Sequence, residues 1–298
     1  MELRKAVIPA AGLGTRILPV SKVVPKELLP LVDRPVIHYI VEEAIHAGFT
    51  HIIFVTAPDK YLIQNYFSKS SKLEEILTTT GKQHLLDPVN RLIGSAKFTF
   101  VQQENPLGLG HAVLMARDAV GDEPFAVLLP DDLILNEQNS LSLLREVHAT
   151  TLTSVLAVQT VTKDLISSYG IIRPSKEHDE TIRVRGLVEK PTHEEAPSNL
   201  GIIGRYILTP RIFSLLEHAS PGIGDEIQLT DALNHLLEHE EIYARHLKGT
   251  RYDTGSPLGL LKANLAVALR RNDLSHQAAQ ALSEELTIPR GPEDNDPI

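Results

Sequence analysis

Two glycines two residues apart open the candidate chemistry of this 298-residue chain. The apolar run KAVIPA leads into AGLGTR, where Gly12 and Gly14 let bare backbone approach a bulky anion and turn its amides toward it. Arg16, Lys22 and Lys26 follow within a segment punctuated by Pro19 and Pro25. Arg16 can grip phosphate oxygens with a bidentate fork and Lys26 can act as a point charge, a pairing suited to a polyphosphate whose charge shifts during reaction. The prolines predict an extended loop. No third glycine completes a dinucleotide fingerprint and no GK[ST] follows, so the usual Rossmann and Walker signatures are both excluded.

Acidic residues supply the complementary chemistry. LLPDDL places Asp131 and Asp132 just after an apolar run, at the carboxyl end of a strand where open α/β sheets gather ligands. Either can help hold a hard divalent cation, which needs only one or two carboxylates and keeps several waters; spacing does not choose between them. In LVEKP, Glu189 and Lys190 are adjacent, so on a continuous strand they would face opposite ways. The strand must bend or end there for both to reach one ligand, and Pro191 gives it reason to end. His235 and His239 stand four apart, but no HExxH follows, and the acidic neighbours mark a solvated helix face. His111 reads as a loop-packing or base-adjacent residue.

Positioning these groups requires a scaffold, and the pattern predicts one. Apolar runs alternate with helical periodicity: KAVIPAAG, VIHYIVEEAIHAG, HIIFVTAP, YLIQNYF. That alternation marks βαβ units on a mixed, mostly parallel central sheet, an α/β fold of the Rossmann-like three-layer α/β/α kind. Further strands are predicted at 98–103, 125–130, 154–160 and 200–208, with helices from Arg211, at 229–241 and at 258–271. Residues 68–95 read as a helical excursion from the sheet. One domain over residues 1–285 is expected, followed by a disordered Pro, Gly and acid-rich tail at 286–298.

Composition narrows the function classes. With 42% hydrophobic and 22% charged residues the chain is an ordinary globular protein. A formal charge of -9 argues against gripping nucleic acid by its backbone, which needs a basic face, but not against a mononucleotide. The absence of cysteine excludes disulfides, thiolate metal sites and cysteine nucleophiles. No apolar run is long enough to span a bilayer and the N-terminus lacks signal-peptide character, so a cytoplasmic location without membrane contact is expected.

The motifs AAGLGTR, PKELLPLVDRP, QQENPLGLGHA, LPDD, EKP, PSNLGIIGRY, GDEIQLTDA and RYDTG, in this order over about residues 4 to 270, resemble the bacterial UTP:glucose-1-phosphate uridylyltransferases. The resemblance implies a magnesium-dependent nucleotidyltransferase of the nucleotide-diphospho-sugar transferase fold that makes UDP-glucose and pyrophosphate from UTP and glucose 1-phosphate, usually as a homodimer or homotetramer. It implies that Ala11, Gly12, Gly14, Thr15, Glu27, Gln103 and Gly108 bind the nucleotide, with Glu27 favouring the uridylyl over the thymidylyl branch. Gly170, Glu189, Lys190, Asn199 and Glu226, with Gln228, would lie near the sugar phosphate. Asp131, rather than Asp132, would share the metal with Asp253. Arg16, Lys26 and Lys190 would carry the catalytic charge. The chain departs from the family pattern at Pro257, where lysine is common, and at Ser21, where threonine is usual.

Overall fold

A computed structural model describes residues 2–135, 138–175 and 180–287; of the tail expected at 286–298, residues 286 and 287 instead end the helix Ser275–Thr287, and the rest lies outside the described residues. Nine strands form the central sheet: β1 (Lys5–Ala10), β2 (His51–Thr56), β3 (Lys97–Gln102), β4 (Phe125–Leu128), β5 (Ser154–Thr160), β6 (Gly170–Pro174), β7 (Thr181–Glu189), β8 (Leu200–Leu208) and β9 (Ile242–His246). Their order is β3-β2-β1-β4-β8-β5-β9-β7-β6. The first four pair in parallel, β8 runs antiparallel to both neighbours, and β9 is parallel to β5. Ile171 of β6 also pairs with Gly201 of β8, so the far edge of the sheet curls back toward its middle.

The strands carry near-continuous apolar runs because both faces are covered. Side chains alternate between two cores: Ala6, Ile8, Ile52, Phe54, Ala126 and Leu128 face one, Val7, Ile53, Val55 and Val127 the other. The first core is roofed by the helix Val36–His46 through Ile37, Ile40 and Ala44, and by Ser140–Thr151 through Leu141 and Leu144. Helices Leu109–Met115, Arg211–Glu217 and Leu229–Leu236 close the second. The result is the three-layer α/β/α arrangement. Between β2 and β3, residues 68–95 hold the helices Ser71–Thr79 and Asp87–Ser95. No helix of the described residues is long and apolar enough to cross a membrane.

Several elements differ from the sequence expectation, two of them because of their partners. The predicted helix at 229–241 stops at Leu236, because Glu240 turns inward to accept from Ser154 Oγ (2.7 Å) and Thr209 Oγ1 (2.9 Å) before β9 begins. The segment 132–135 is a strand paired antiparallel with Thr250–Asp253, in a two-stranded ribbon apart from the main sheet.

Beneath that ribbon lies Arg205, fully buried on β8. Its guanidinium donates to Glu43 Oε2 (2.7 Å) and to the carbonyls of Leu129 (3.2 Å), Gly204 (2.9 Å) and Asp132 (2.7 Å). Substituting Arg205→Leu leaves the Glu43 carboxylate and two carbonyls flanking Asp131 without their donor. We expect a loss of about 3–5 kcal/mol in urea unfolding, the usual cost of breaking a buried charged pair; a loss below about 1 kcal/mol would show that the brace is dispensable.

Candidate active site

The loop after β1 is not extended. It folds into three short 3-10 turns, Thr15–Ile17, Val20–Lys22 and Lys26–Leu28, with Gly14 left-handed (φ 67°) at the head of the first. Ser21 Oγ donates to the Gly14 carbonyl (2.8 Å), stapling one turn to another. Compact turns return Lys26 to the loop's origin, where the extended path expected from the prolines would carry it away. Lys22 stays exposed.

Lys26 donates to Asp131 Oδ2 (2.6 Å), and Arg16 Nη1 donates to Asp253 Oδ2 (2.9 Å) with Nη2 3.8 Å from Asp131 Oδ2. The ribbon register brings the aspartates together: Asp253 is paired with Asp132, and the Thr254 amide donates to the Asp131 carbonyl (2.8 Å). A Cβ placed on Gly255 would fall 2.7 Å from Arg16 Nη2, 2.9 Å from Asp131 Oδ2 and 3.0 Å from Asp253 Oδ1, so the guanidinium and both carboxylates border one small space that only glycine leaves open. Burial opposes charge on both Lys26 and Asp131, yet their mutual attraction and hydrogen bond win, holding the ammonium above and the carboxyl below their ordinary values.

Asp132 has a different task. Its Oδ2 accepts from the Gly204 amide (2.9 Å) and its Oδ1 from Arg251 Nε (2.8 Å), which turns the carboxylate onto β8 and Arg251, whereas the Asp253 oxygens accept from Arg16 (2.9 Å) and the Gly255 amide (3.0 Å) beside Asp131. Arg251 also lies over the Tyr169 ring, 4.9 Å from its centroid. Geometry thereby separates two neighbouring acids that spacing could not.

The cleft has two chambers that meet at Asp131 and also share Leu109 and Leu129. One, of about 440 Å³, is lined by Ala11, Gly12, Gly14, Thr15, Lys26, Glu27, Gln103, Gly108 and Glu226. There the Gln103 amide nitrogen lies 2.8 Å from His111 Nδ1 and donates to the Gly108 carbonyl (3.3 Å), which fixes the amide and leaves its oxygen for a ligand. Gly108 (φ 100°) packs so closely on the 226–227 segment that a Cβ would lie 2.7 Å from Glu226 Cβ. Glu27 is buried, and both its oxygens accept from Lys60 (3.1 and 3.0 Å).

The other chamber, about 410 Å³, is lined by Arg16, Tyr169, Gly170, Glu189, Gln228 and Asp253 among others. Here Glu189 sits over Gly170, where a Cβ would come 3.1 Å from its Oε2. β7 ends at Glu189 and Lys190 adopts a left-handed φ of 45°, the break that adjacency required. Lys190 Nζ lies 3.5 Å from Glu189 Oε1; the residue is exposed and lines neither chamber. Glu226 thus belongs to the first chamber, not to the sugar side expected for it, although Gln228 Nε2 reaches back to its Oε2 (3.3 Å). Asn199 lines neither chamber; it is exposed and borders a separate hollow with His193 and Ser198. Pro257 occupies the first turn of the helix Pro257–Arg270, capped by Ser256, a place that suits its missing N–H. Arg205 and Arg251 lie within the motifs PSNLGIIGRY and RYDTG, but neither motif shows what they hold, and Lys60 and Tyr169 stand out only as single residues near strand ends.

Two acidic oxygens facing one small space suit a hard divalent cation that retains waters. Among the described residues no group of three or more His, Asp or Glu is placed to hold a metal, so this would be a sparse site completed by substrate oxygens. The arrangement as a whole can hold a polyphosphate on the glycine loop and a second anion beyond Asp131, with cations between them.

Residues 5–269 match the Nucleotidyl transferase family model. The chain is 46% identical over 283 residues to the UTP–glucose-1-phosphate uridylyltransferase YngB of Bacillus subtilis, with 95% of each chain covered. It is 44% identical over 287 residues to a UTP–glucose-1-phosphate uridylyltransferase of Staphylococcus epidermidis, covering 96% of this chain and 99% of that one. The solved structure of a UTP-bound UGPase from Acinetobacter baumannii superposes with a TM-score of 0.89 at 41% identity, covering 95% and 99% of the two chains. A UDP-glucose pyrophosphorylase complexed with UDP-glucose gives 0.83 at 40% identity, covering 91% and 100%.

The division of labour between the paired acids has a stability signature. Asp132→Ala strands the partly buried Arg251 and should cost about 3–5 kcal/mol. Asp131→Ala, at a site more open to water, should cost about 1–2 kcal/mol or less. Equal losses in urea unfolding would contradict the assignment.

Proposed function

The chain belongs to the nucleotidyl transferase family, and we propose that within it this enzyme transfers the uridylyl group of UTP to glucose 1-phosphate, giving UDP-glucose and pyrophosphate. The observation that carries this reading is the meeting of two chambers at Asp131: the glycine loop and Lys26 line one side, and Arg16, Gly170 and Glu189 line the other.

In the proposed reaction a phosphate oxygen of glucose 1-phosphate attacks the α-phosphorus of UTP. A new P–O bond forms as the bond to the bridging β-oxygen breaks in line, and pyrophosphate leaves with that electron pair. The nucleophile is already an anion, so no residue needs to remove a proton. Catalysis reduces to holding two polyanions in line and offsetting charge on the moving phosphoryl group. Amides of Gly12, Gly14 and Thr15 meet the phosphates; Arg16 and Lys26 exchange their carboxylate partners for phosphate oxygens. Gln103 and Glu27, with Ala11 and Gly108, enclose uracil. Glu189 accepts from sugar hydroxyls above Gly170, and Lys190 reaches from beside Glu189 toward the 1-phosphate. Glu226, at the wall that closes against Gly108, and Gln228 complete the passage between chambers; Asn199 is left out of the sugar site. Asp131 and Asp253 would hold a divalent cation, for which we propose magnesium. When bound, this ion would neutralise charge on the α-phosphate oxygens.

We read residues 1–285 as one catalytic domain, with 68–95 as an appended rim, and place the enzyme in the cytoplasm on its sequence character alone. We also propose a homodimer or homotetramer. Its support is a stripe of exposed leucines, Leu258, Leu261, Leu265 and Leu269, three to four residues apart on the helix Pro257–Arg270.

Two measurements test these readings. Asp131→Ala should lower magnesium-dependent pyrophosphate release from UTP and glucose 1-phosphate by about a thousandfold or more, and Gly255→Ala, which fills the space between the two carboxylates, by about a hundredfold; full turnover in either variant would refute the metal assignment. Replacing Leu261 and Leu265 by glutamate should lower the mass seen by light scattering to that of one chain, whereas an unchanged mass would rule out this helix as the interface.

A further inference from the structure

Lys60 precedes the helix Tyr61–Tyr66 and is almost wholly buried. Its ammonium donates to the Ala10 carbonyl (2.8 Å), the Gly12 carbonyl (2.7 Å) and both oxygens of Glu27 (3.1 and 3.0 Å). An ammonium has three protons. Two are taken by the carbonyls and the third by the carboxylate, which leaves none for a phosphate.

We infer that Lys60 is a positioning residue that ties the base-enclosing wall of the nucleotide chamber to its phosphate loop and so sets the affinity for UTP; the inference rests on the reading that this chamber takes UTP. The three acceptors come from separate segments. Ala10 ends β1, Gly12 begins the glycine loop, and Glu27 sits in the 3-10 turn Lys26–Leu28. Ala10 and Gly12 flank Ala11, so the lysine fixes the carbonyls on either side of a lining residue. Ala10 is held in the core by the pairing of β1 with β2, whereas a Cβ on Gly12 would meet nothing within 4 Å, so at Gly12 the loop borders open space. Gly14 beyond it is held by Ser21, and Lys26 by Asp131. Lys60 therefore ties Gly12, the open part of the loop, to the fixed end of β1 and to the turn that carries Glu27. It also compensates the buried Glu27 carboxylate, which burial pushes toward the protonated form against the pull of Lys60 and Lys26.

The second chamber shares none of these contacts, and that gives the test its selectivity. In Lys60→Met, a side chain of similar length without donors, calorimetric affinity for UTP should fall about tenfold or more and the KM for UTP should rise in step, while the KM for glucose 1-phosphate stays within about twofold. Lys60→Gln is carried in parallel in case methionine prevents folding, and urea unfolding confirms that the variant measured is native. A folded variant whose UTP affinity is within about twofold of the unaltered chain, or whose two substrates weaken equally, overturns the inference. An unaltered chain that binds UTP but releases no pyrophosphate with glucose 1-phosphate would instead fault the functional reading, and the calorimetric comparison at Lys60 would stand by itself.

Discussion

Two carboxylates and two cations, interleaved at the strand ends, are the interaction on which the rest of the molecule is organised. Asp131 and Asp253 face one space and would repel each other if alone; Lys26 and Arg16 offset that repulsion by direct contact. Each of the four arrives by a different route. Lys26 and Arg16 come from the compact loop after β1, Asp131 from the end of β4, and Asp253 from the ribbon partner. Small errors in any route would leave a charge unpaired, and the surroundings are correspondingly over-determined: Arg205 braces the carbonyls on both sides of Asp131 from below, and the Thr254 amide holds its own carbonyl from the side.

The same pairing explains how an acidic protein can serve polyanionic substrates. The net charge of -9 is spread over the molecule, while the cleft keeps Arg16 and Lys26 ready in a charge-compensated state. In the proposed reaction a triphosphate arriving with its cation would exchange partners with these groups, anion for anion and cation for cation, without a permanently basic surface. The position of Asp132 shows the economy of the design: one residue away, an identical side chain is committed to Arg251 and the β8 backbone and serves the scaffold.

Much of this was legible in the sequence, for reasons that residues make plain. Strands β1, β2, β4, β5 and β8 are buried on both faces, so they read as unbroken apolar runs whatever their neighbours. The glycine loop with Arg16 and Lys26, and Asp131 after β4, follow from chemistry at a strand end. What escaped depends on partners that sequence does not display. β9, in IYARH, alternates polar and apolar residues and is fixed by the neighbours it joins; the 132–135 strand exists through its pairing with Thr250–Asp253. Prolines suggested an extended loop, but hydrogen bonds such as Ser21 to Gly14 wind it into turns. Lys60 and Arg205 are single cations in apolar or turn segments, and only their buried acceptors reveal what they hold. Glu226, expected near the sugar, lines the chamber of the glycine loop, where it packs against Gly108.

The account stands or falls on whether Asp131 and Asp253 hold one ion between the chambers. Crystals grown with manganese and UDP-glucose, measured at the manganese absorption edge, test it directly. The account predicts a single anomalous peak touching oxygens of both aspartates and of the nucleotide phosphate, with Lys26 and Arg16 turned onto phosphate oxygens. A peak held elsewhere, or a bound sugar nucleotide that leaves Asp131 paired with Lys26 and no ion between the acids, would contradict it.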